Sequence, residues 1–176
     1  MPLLGAGTPC LDNPLPVACH DADYVWLMVV DVVDDHFTRI ARQQPIRRIG
    51  DVLTEGSLET FPQDCPTVLE PWRKDTADET SRMESTLQTM RHWAQVSFRP
   101  SEGAQQGIVW IDVRVYKELE DASGPEATSA GNDTFRYDES IQRVVDPVAD
   151  APIHAGWIPM GRETALEQKI IAEISR

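Results

Sequence analysis

Apolar and polar residues alternate most regularly in the segment from residue 109 to residue 119. The odd positions hold Val109, Ile111, Val113 and Val115, and mostly polar or aromatic residues lie between them. This alternation is typical of a strand that is buried on one face. The preceding segment, PSEGAQQG, is rich in residues that favour turns, and a second alternating run ends just before it. The pattern therefore predicts a β-hairpin at the centre of the chain.

The parity of the apolar residues restricts how the two hairpin strands pair. Directly opposed residues share a face of the sheet, so the even-numbered apolar residues of the first strand must lie opposite odd-numbered ones of the second. We expect Phe98 opposite Val109, and Val96 opposite Ile111. The other face would then collect large and basic side chains, with Trp93 beside Arg114 and Arg91 beside Tyr116. The full set on that face is Arg91, Trp93, Trp110, Arg114 and Tyr116.

Helical spacing of apolar residues occurs near both ends of the chain. Between Asp21 and Pro45 they recur every three or four positions, which predicts a long N-terminal helix capped by Asp21 or Asp23. A buried strand over residues 24–33 is the alternative, but the segment is too long for a typical strand. At the other end, the spacing of Leu166, Ile170 and Ile174 predicts a C-terminal helix.

The segments between these elements are less regular. Residues 81–90 fit either a helix, through a capping-box pattern at Ser81 and Glu84, or a strand that continues into the hairpin. We favour a strand from about Glu84. A short bulged strand is expected within residues 46–53 and another strand within 135–145. Irregular loops are expected at 56–81 and 121–134, because these segments are rich in Pro, Gly and small polar residues.

Together these patterns predict an extended N-terminal arm, residues 1–20, followed by a single α+β domain, residues 21–176. Its antiparallel sheet would have about 3–4 strands. The long N-terminal helix and the C-terminal helix would pack on one face of that sheet.

The net charge narrows the classes of partner. Sixteen Lys and Arg residues face 29 Asp and Glu residues in the 176-residue chain, for a formal net charge of -13. Such a field repels the phosphate backbone of nucleic acids and anionic lipid headgroups. The sequence also lacks a run of about 18 apolar residues, so no transmembrane span is expected.

The first ten residues, MPLLGAGTPC, are small, apolar and uncharged, like the last turns of a secretory signal peptide. This similarity allows a remnant of an export signal, but on the residues alone a disordered N-terminal tail is the favoured interpretation. Cys10 and Cys19 are weak candidates for lipid attachment, because the residues before them match a lipoprotein signal poorly. Cys65 could form a disulfide with either of them after export, and three free thiols are expected in a reducing compartment.

Recognised catalytic and metal-binding motifs are absent from the sequence, so no catalytic residue, metal or cofactor is predicted. Asp31 and Asp35 share a helix face and could hold a hard cation, but a solvated polar face is the favoured interpretation. The acidic run at residues 117–121 could bind calcium weakly or be an ordinary strand end. Cys65 lies between prolines, and a histidine could approach it in the fold.

The outer face of the hairpin is the best candidate for a binding surface. Trp, Tyr and Arg are the residue types that contribute most to binding at protein interfaces. The alternative is that a second layer, such as a helix, covers this face.

Several segments resemble a family of uncharacterised, planctomycete-type bacterial proteins that carry a signal peptide or a lipoprotein anchor. The resemblance covers about residues 11–174 and rests on these segments: DADYVWLMVVDVVDDHF, IGDVLTEGSLETFP, TVLEPWRKD, ESTLQTMRHWAQVSF, VYKELED and WIPMGRETALEQKII. These motifs describe no reaction. The order of elements is also similar to that of small outer-membrane lipoproteins that assist lipopolysaccharide assembly, although a shared architecture does not imply a shared function.

The resemblance implies a protein of the cell envelope or periplasm, with or without a lipid anchor, and a cytoplasmic location is the alternative. We expect a non-enzymatic accessory or scaffold protein that binds an unknown protein or lipid-assembly partner. A hydrolase or metal-dependent enzyme with a site near Asp31, Asp35 or Cys65 is one alternative, and a purely structural module is another.

Overall fold

The described part of the chain forms three helices, which are interspersed among nine strands. The computed structural model describes residues 10–50, 52–76, 78–101, 107–121 and 156–176. The helices are α1 (Ala22–His36), α2 (Glu79–Leu87) and α3 (Thr164–Ile174). The strands are β1 (Leu15–Ala18), β2 (Ile40–Gln44), β3 (Arg48–Ile49), β4 (Val52–Leu53), β5 (Gly56–Thr60), β6 (Gln63–Asp64), β7 (Met90–Pro100), β8 (Ile108–Glu120) and β9 (Trp157–Arg162). The fold is α+β, as the sequence predicts.

The main sheet is larger than the 3–4 strands that the sequence predicts. Among the described residues it has seven strands, in the order β1-β8-β7-β5-β2, with β6 also pairing with β7 and β9 with β8. Strands β1 and β9 both come from Pro-containing segments, and the first of these was expected to be an extended arm. Pro16 and Pro159 are tolerated because these two strands lie at the margins of the sheet, where a missing N–H is least costly.

Helix α1 is shorter than predicted and is preceded by β1, so the domain does not begin with a long helix. It begins at Asp21, whose carboxylate accepts the backbone N–H groups of Asp23 and Tyr24 at 3.0 and 3.4 Å. It ends at His36, because Phe37 has an extended backbone and the chain turns to pair β2 with β5.

Helices α1 and α3 pack on the same face of the sheet. Trp26, Val29 and Val33 of α1 and Ile170 and Ile171 of α3 belong to one hydrophobic core. The predicted C-terminal helix is confirmed. The sheet residues of this core alternate along the strands, as the parity argument requires; they are Leu58, Ala94, Val96, Phe98, Val109, Ile111, Val113 and Val115.

The central hairpin is confirmed, but its register differs by two residues from the prediction. Phe98 lies opposite Ile111, and Val96 opposite Val113. Strand β7 continues to Pro100, which pairs with Val109, so the connection is shorter than the predicted loop. A shift of two residues keeps every side chain on its expected face.

Three further predictions need correction. Residues 56–81 are not one irregular loop, because β5 lies in the middle of the sheet and β6 pairs with β7. Residues 79–87 form α2 rather than a strand, since the Asp78 carboxylate caps the helix by accepting the Ser81 N–H at 2.8 Å. The predicted bulged strand at 46–53 is instead the β3–β4 hairpin, and its turn holds Gly50 at a φ of 63°, a value that glycine adopts without strain.

Some predictions lie outside the described residues. They are the start of the N-terminal arm, the loop at 122–134 and the strand within 135–145. Within the described residues, no helix is long and apolar enough to cross a membrane.

Candidate functional site

The five residues predicted to form a binding surface lie on one face of the hairpin. We call Arg91, Trp93, Trp110, Arg114 and Tyr116 the outer sheet face. The register places Trp93 opposite Tyr116, Gln95 opposite Arg114 and Arg99 opposite Trp110. All of these positions alternate with core residues and therefore point away from α1 and α3.

Aromatic and arginine side chains contact one another along the outer sheet face. The rings of Trp93 and Tyr116 stack with their centroids 4.6 Å apart. The guanidinium of Arg91 lies 3.8 Å from the ring centroid of Trp157 in β9, and its Nε is 2.7 Å from Glu118 Oε2. These contacts hold large side chains in fixed positions, which reduces the entropy that a binding partner must remove.

A carboxylate organises the other half of the outer sheet face. Asp112 is buried, and its Oδ2 lies 2.6 Å from Arg114 Nη2 and 3.7 Å from Arg99 Nη2. The outward positions of β7 and β8 hold three arginines and three acids: Arg91, Arg99, Arg114, Asp112, Glu118 and Glu120. This face is therefore electrically balanced on a chain of net charge -13, so an acidic partner meets less repulsion here than elsewhere.

No helix among the described residues covers the outer sheet face. The buried residues of α1 and α3 belong to the core on the opposite face. Helix α2 contacts the sheet through Glu84, whose Oε2 is 3.0 Å from Lys117 Nζ, and Lys117 shares its parity with the core residue Val115. The covering helix that was the alternative prediction is thus not found in the described part of the chain.

A second group of polar residues lies inside the protein. We call His92, Asp75, Glu163, Gln63 and Arg73 the internal charged cluster. His92 Nε2 is 3.4 Å from Asp75 Oδ2, and His92 Nδ1 is 3.2 Å from Glu163 Oε2. Gln63 Nε2 donates to Asp75 Oδ2 at 2.9 Å, and Arg73 Nε donates to Asp75 Oδ1 at 3.0 Å. Strand β7, the end of β9 and the segment after β6 thereby meet around one imidazole.

The internal charged cluster shifts the protonation of its members. Burial alone would lower the pKa of His92, but hydrogen bonds to Asp75, the Cys65 thiol and Glu163 outweigh burial and raise that pKa well above 6.5. Burial would raise the pKa of Asp75, but hydrogen bonds from His92 and Arg73 outweigh it and lower that pKa to about 2. The cluster therefore favours a protonated imidazole at His92 and an ionised carboxylate at Asp75.

Cys65 lies beside His92, as one prediction allowed, but the arrangement does not suit a thiol catalyst. His92 is fully buried and Cys65 is 8% exposed. Both ring nitrogens of His92 already face carboxylates, whereas a catalytic base needs one nitrogen free to exchange a proton with the nucleophile. The cluster is better explained as an internal charged network that joins separate segments.

The other predicted sites do not assemble. Asp31 and Asp35 are exposed, and Asp35 pairs with Lys74 at 3.1 Å. Within the described residues, no group of three or more His, Cys, Asp or Glu side chains could hold a metal ion. In the acidic run at 117–121, Lys117 pairs with Glu84 and Glu118 with Arg91, which fits an ordinary strand end.

The three cysteines are free thiols. Cys10 is exposed, whereas Cys19 and Cys65 are buried. Cys19 belongs to the hydrophobic core, and its burial raises the pKa of its thiol.

The sequence did not predict the internal charged cluster. Asp75 and Glu163 lie in connecting segments 88 positions apart (163 - 75), and no spacing rule links them. One signal was present: His92 has the parity of the buried residues Met90, Ala94 and Val96, so a buried histidine that needs polar partners could have been expected.

Comparison of the chain with models of protein families, with curated proteins and with solved structures gave no match.

Proposed function

We propose that this chain is a non-enzymatic accessory or scaffold protein that binds a protein partner through the outer sheet face. A location in the cell envelope is part of the proposal and is supported by the resemblance of the sequence to secreted proteins and lipoproteins. One observation carries the binding proposal: the stacked Trp93 and Tyr116 rings and the neighbouring arginines occupy a sheet face that no described helix covers.

The chemistry of the outer sheet face supports a protein partner. Flat aromatic rings bury a large area at a small cost in side-chain entropy, and arginine combines such stacking with several hydrogen-bond donors. Arg91 and Arg114 are already oriented by Glu118 and Asp112. A partner with apolar side chains and carboxylates or backbone carbonyls would complement this surface.

The interior supports a non-enzymatic role. The internal charged cluster is the group of side chains closest in composition to a catalytic site, and its histidine is fully buried. A pocket of about 340 Å³ lies nearby and is lined in part by Gln63, Arg73 and Asp75. These polar groups are already bonded to one another, so they offer little capacity to bind or activate a substrate.

Replacement of Trp93 and Trp110 by Ala should reduce partner capture at least tenfold, because the loss of central aromatic contacts costs about 2 kcal/mol or more at an interface. The immobilised protein is incubated with solubilised envelope proteins, and the captured protein is quantified by mass spectrometry. Circular dichroism checks that the double variant retains its fold.

Trp72 provides the matched control, because it is 73% exposed and lies outside the outer sheet face. A Trp72→Ala variant should capture as much partner as the wild type. An Arg114→Glu variant should also lose capture. This substitution reverses a charge on the outer sheet face but removes no stacked ring. Equal capture by the wild type and both outer-face variants would contradict the proposal.

A further inference from the structure

An open groove of about 690 Å³ lies between α1 and β2. One wall is formed by α1, including Tyr24, Leu27, Met28 and Asp31, and the other includes Ile40 of β2. Tyr24 is 68% exposed and Leu27 is 64% exposed, although α1 packs its opposite face into the core. The volume is within the range of established ligand sites, and its lining combines apolar side chains with carboxylates.

The groove runs beside a free sheet edge. In the order of the main sheet, β2 is the last strand and pairs only with β5 among the described residues. Residues 41–44 of β2 are exposed. Half of the backbone N–H and C=O groups of such a strand point away from its neighbour, and they can pair with an added strand.

The register of β2 joins the edge and the groove. Gln43 lies opposite Leu58, and Ile40 lies opposite Thr60. Leu58 is a core residue on the face that α1 covers, so Ile40 and Gln43 point towards α1. A strand added to β2 would direct every second side chain into the groove, because side chains alternate along a strand.

The lining specifies the chemistry of the added strand. Tyr24, Leu27 and Met28 in the first half of α1 offer apolar contacts, and Asp31 and Asp34 in its second half offer two exposed carboxylates. An extended peptide with apolar residues at alternate positions and Lys or Arg near one end would complement both the apolar and the acidic part of the groove. A second copy of this chain fits poorly, since it would bring two acidic grooves of a chain of net charge -13 together.

We propose that the groove between α1 and β2 binds an extended basic peptide segment that pairs with the free edge of β2. Main-chain hydrogen bonds to β2 supply affinity, and the apolar and acidic walls select the side chains. This site is separate from the outer sheet face and would allow the protein to contact two partners at once.

The test uses a phage-displayed library of random twelve-residue peptides, selected on the immobilised full chain. The expected result is an enriched family with alternating apolar residues and a Lys or Arg at one end. The enriched peptide, made with a fluorescent label, should bind the Leu27→Ser variant about tenfold more weakly. It should bind the Asp31→Asn/Asp34→Asn variant about threefold more weakly, with a larger difference at low salt.

Matched variants separate this site from other exposed apolar or acidic positions. Leu87→Ser changes a leucine of similar exposure on α2, and Asp12→Asn changes an exposed carboxylate outside the groove; both should bind as the wild type does. The Trp93→Ala/Trp110→Ala variant should also bind the peptide normally. A failure of the groove proposal can therefore be distinguished from a failure of the function proposed for the outer sheet face.

Hydrogen exchange identifies the pairing itself. Peptide binding should slow exchange of the amides of residues 40–44. The proposal is overturned if no peptide family is enriched, if the enriched peptide binds Leu27→Ser as tightly as the wild type, or if protection appears outside β2 and α1. Concentration-dependent dimerisation that Leu27→Ser abolishes would also overturn it, because the occupant would then be a second copy.

Discussion

At the scale of single residues, His92 is a histidine whose environment differs strongly from water. It is fully buried, and Asp75 and Glu163 lie 3.4 and 3.2 Å from its two ring nitrogens. Removal of the positive charge would leave two carboxylates facing each other across a neutral ring. The protonation of one imidazole therefore contributes to the stability of the whole fold.

We expect the protein to lose stability as the pH rises from about 6.5. The pKa of His92 is well above 6.5 in the folded state, and its value in the unfolded chain is about 6.5. Between the two values the folded state holds one more proton, so the free energy of unfolding falls by up to about 1.4 kcal/mol per pH unit. Urea denaturation at a series of pH values measures this slope.

A His92→Gln variant should show a flatter slope over the same interval, whereas a variant of the exposed His20, His20→Gln, should retain the slope of the wild type. The imidazole resonance of His92 gives an independent measurement by NMR. If the pH titration of this resonance has its midpoint at or below 6.5, the prediction is contradicted, whether or not the His92 variant folds.

At the scale of elements, close packing between strands depends on the absence of one side chain. A Cβ atom at Gly56 would lie 2.7 Å from Ile46 Cγ2 and 3.0 Å from the Gln44 carbonyl oxygen. Ile46 is fully buried and lies just beyond Pro45, which follows the last residue of β2. Gly56 therefore allows the chain to leave β2 and pack its isoleucine against the start of β5.

A Gly56→Ala substitution should lower the free energy of unfolding by about 1–3 kcal/mol, the usual cost of overpacking a dense site. The matched control is Gly156→Ala, because a Cβ there has nothing within 4 Å and should change stability by less than about 0.5 kcal/mol. Urea denaturation measures both variants, and equal stability of the two would contradict this account of Gly56.

The elements could be predicted where a single local pattern dominates. Alternation identified β7 and β8, and helical spacing identified α1 and α3. Register, however, depends on the length of the turn, which is why Phe98 was paired two residues away from its true partner. Strands such as β1, β5 and β9 are stabilised by distant partners, and their short or Pro-containing segments carry little signal of their own.

The candidate site could likewise be predicted only where a local pattern was sufficient. Parity alone places all five residues of the outer sheet face together, because it needs no knowledge of register. Their contacts with Trp157 and Asp112 depend on tertiary structure and could not be predicted. The internal charged cluster was not predicted, because it joins side chains from segments that local patterns treat as loops.

At the scale of the whole molecule, the net charge of -13 opposes compaction. We expect the thermal midpoint to rise when NaCl is increased from about 10 to about 150 mM, because the screening length falls from about 30 to about 8 Å. Differential scanning calorimetry measures the shift. An Asp31→Asn/Asp34→Asn variant carries less charge and should gain less from salt, and a midpoint that falls with salt would contradict the prediction.

Strand β8 also affects the order in which the fold forms. It pairs with β1, which precedes it by about ninety residues, and with β9, which follows the segment 122–155. Contacts between residues so far apart in sequence form slowly. A chain emerging from the ribosome cannot complete its sheet until β9 has been made, so the Tyr116–Glu120 end of β8 stays without its second neighbour until then. Ribosome-associated chaperones would therefore meet this protein with part of one edge of β8 still unpaired.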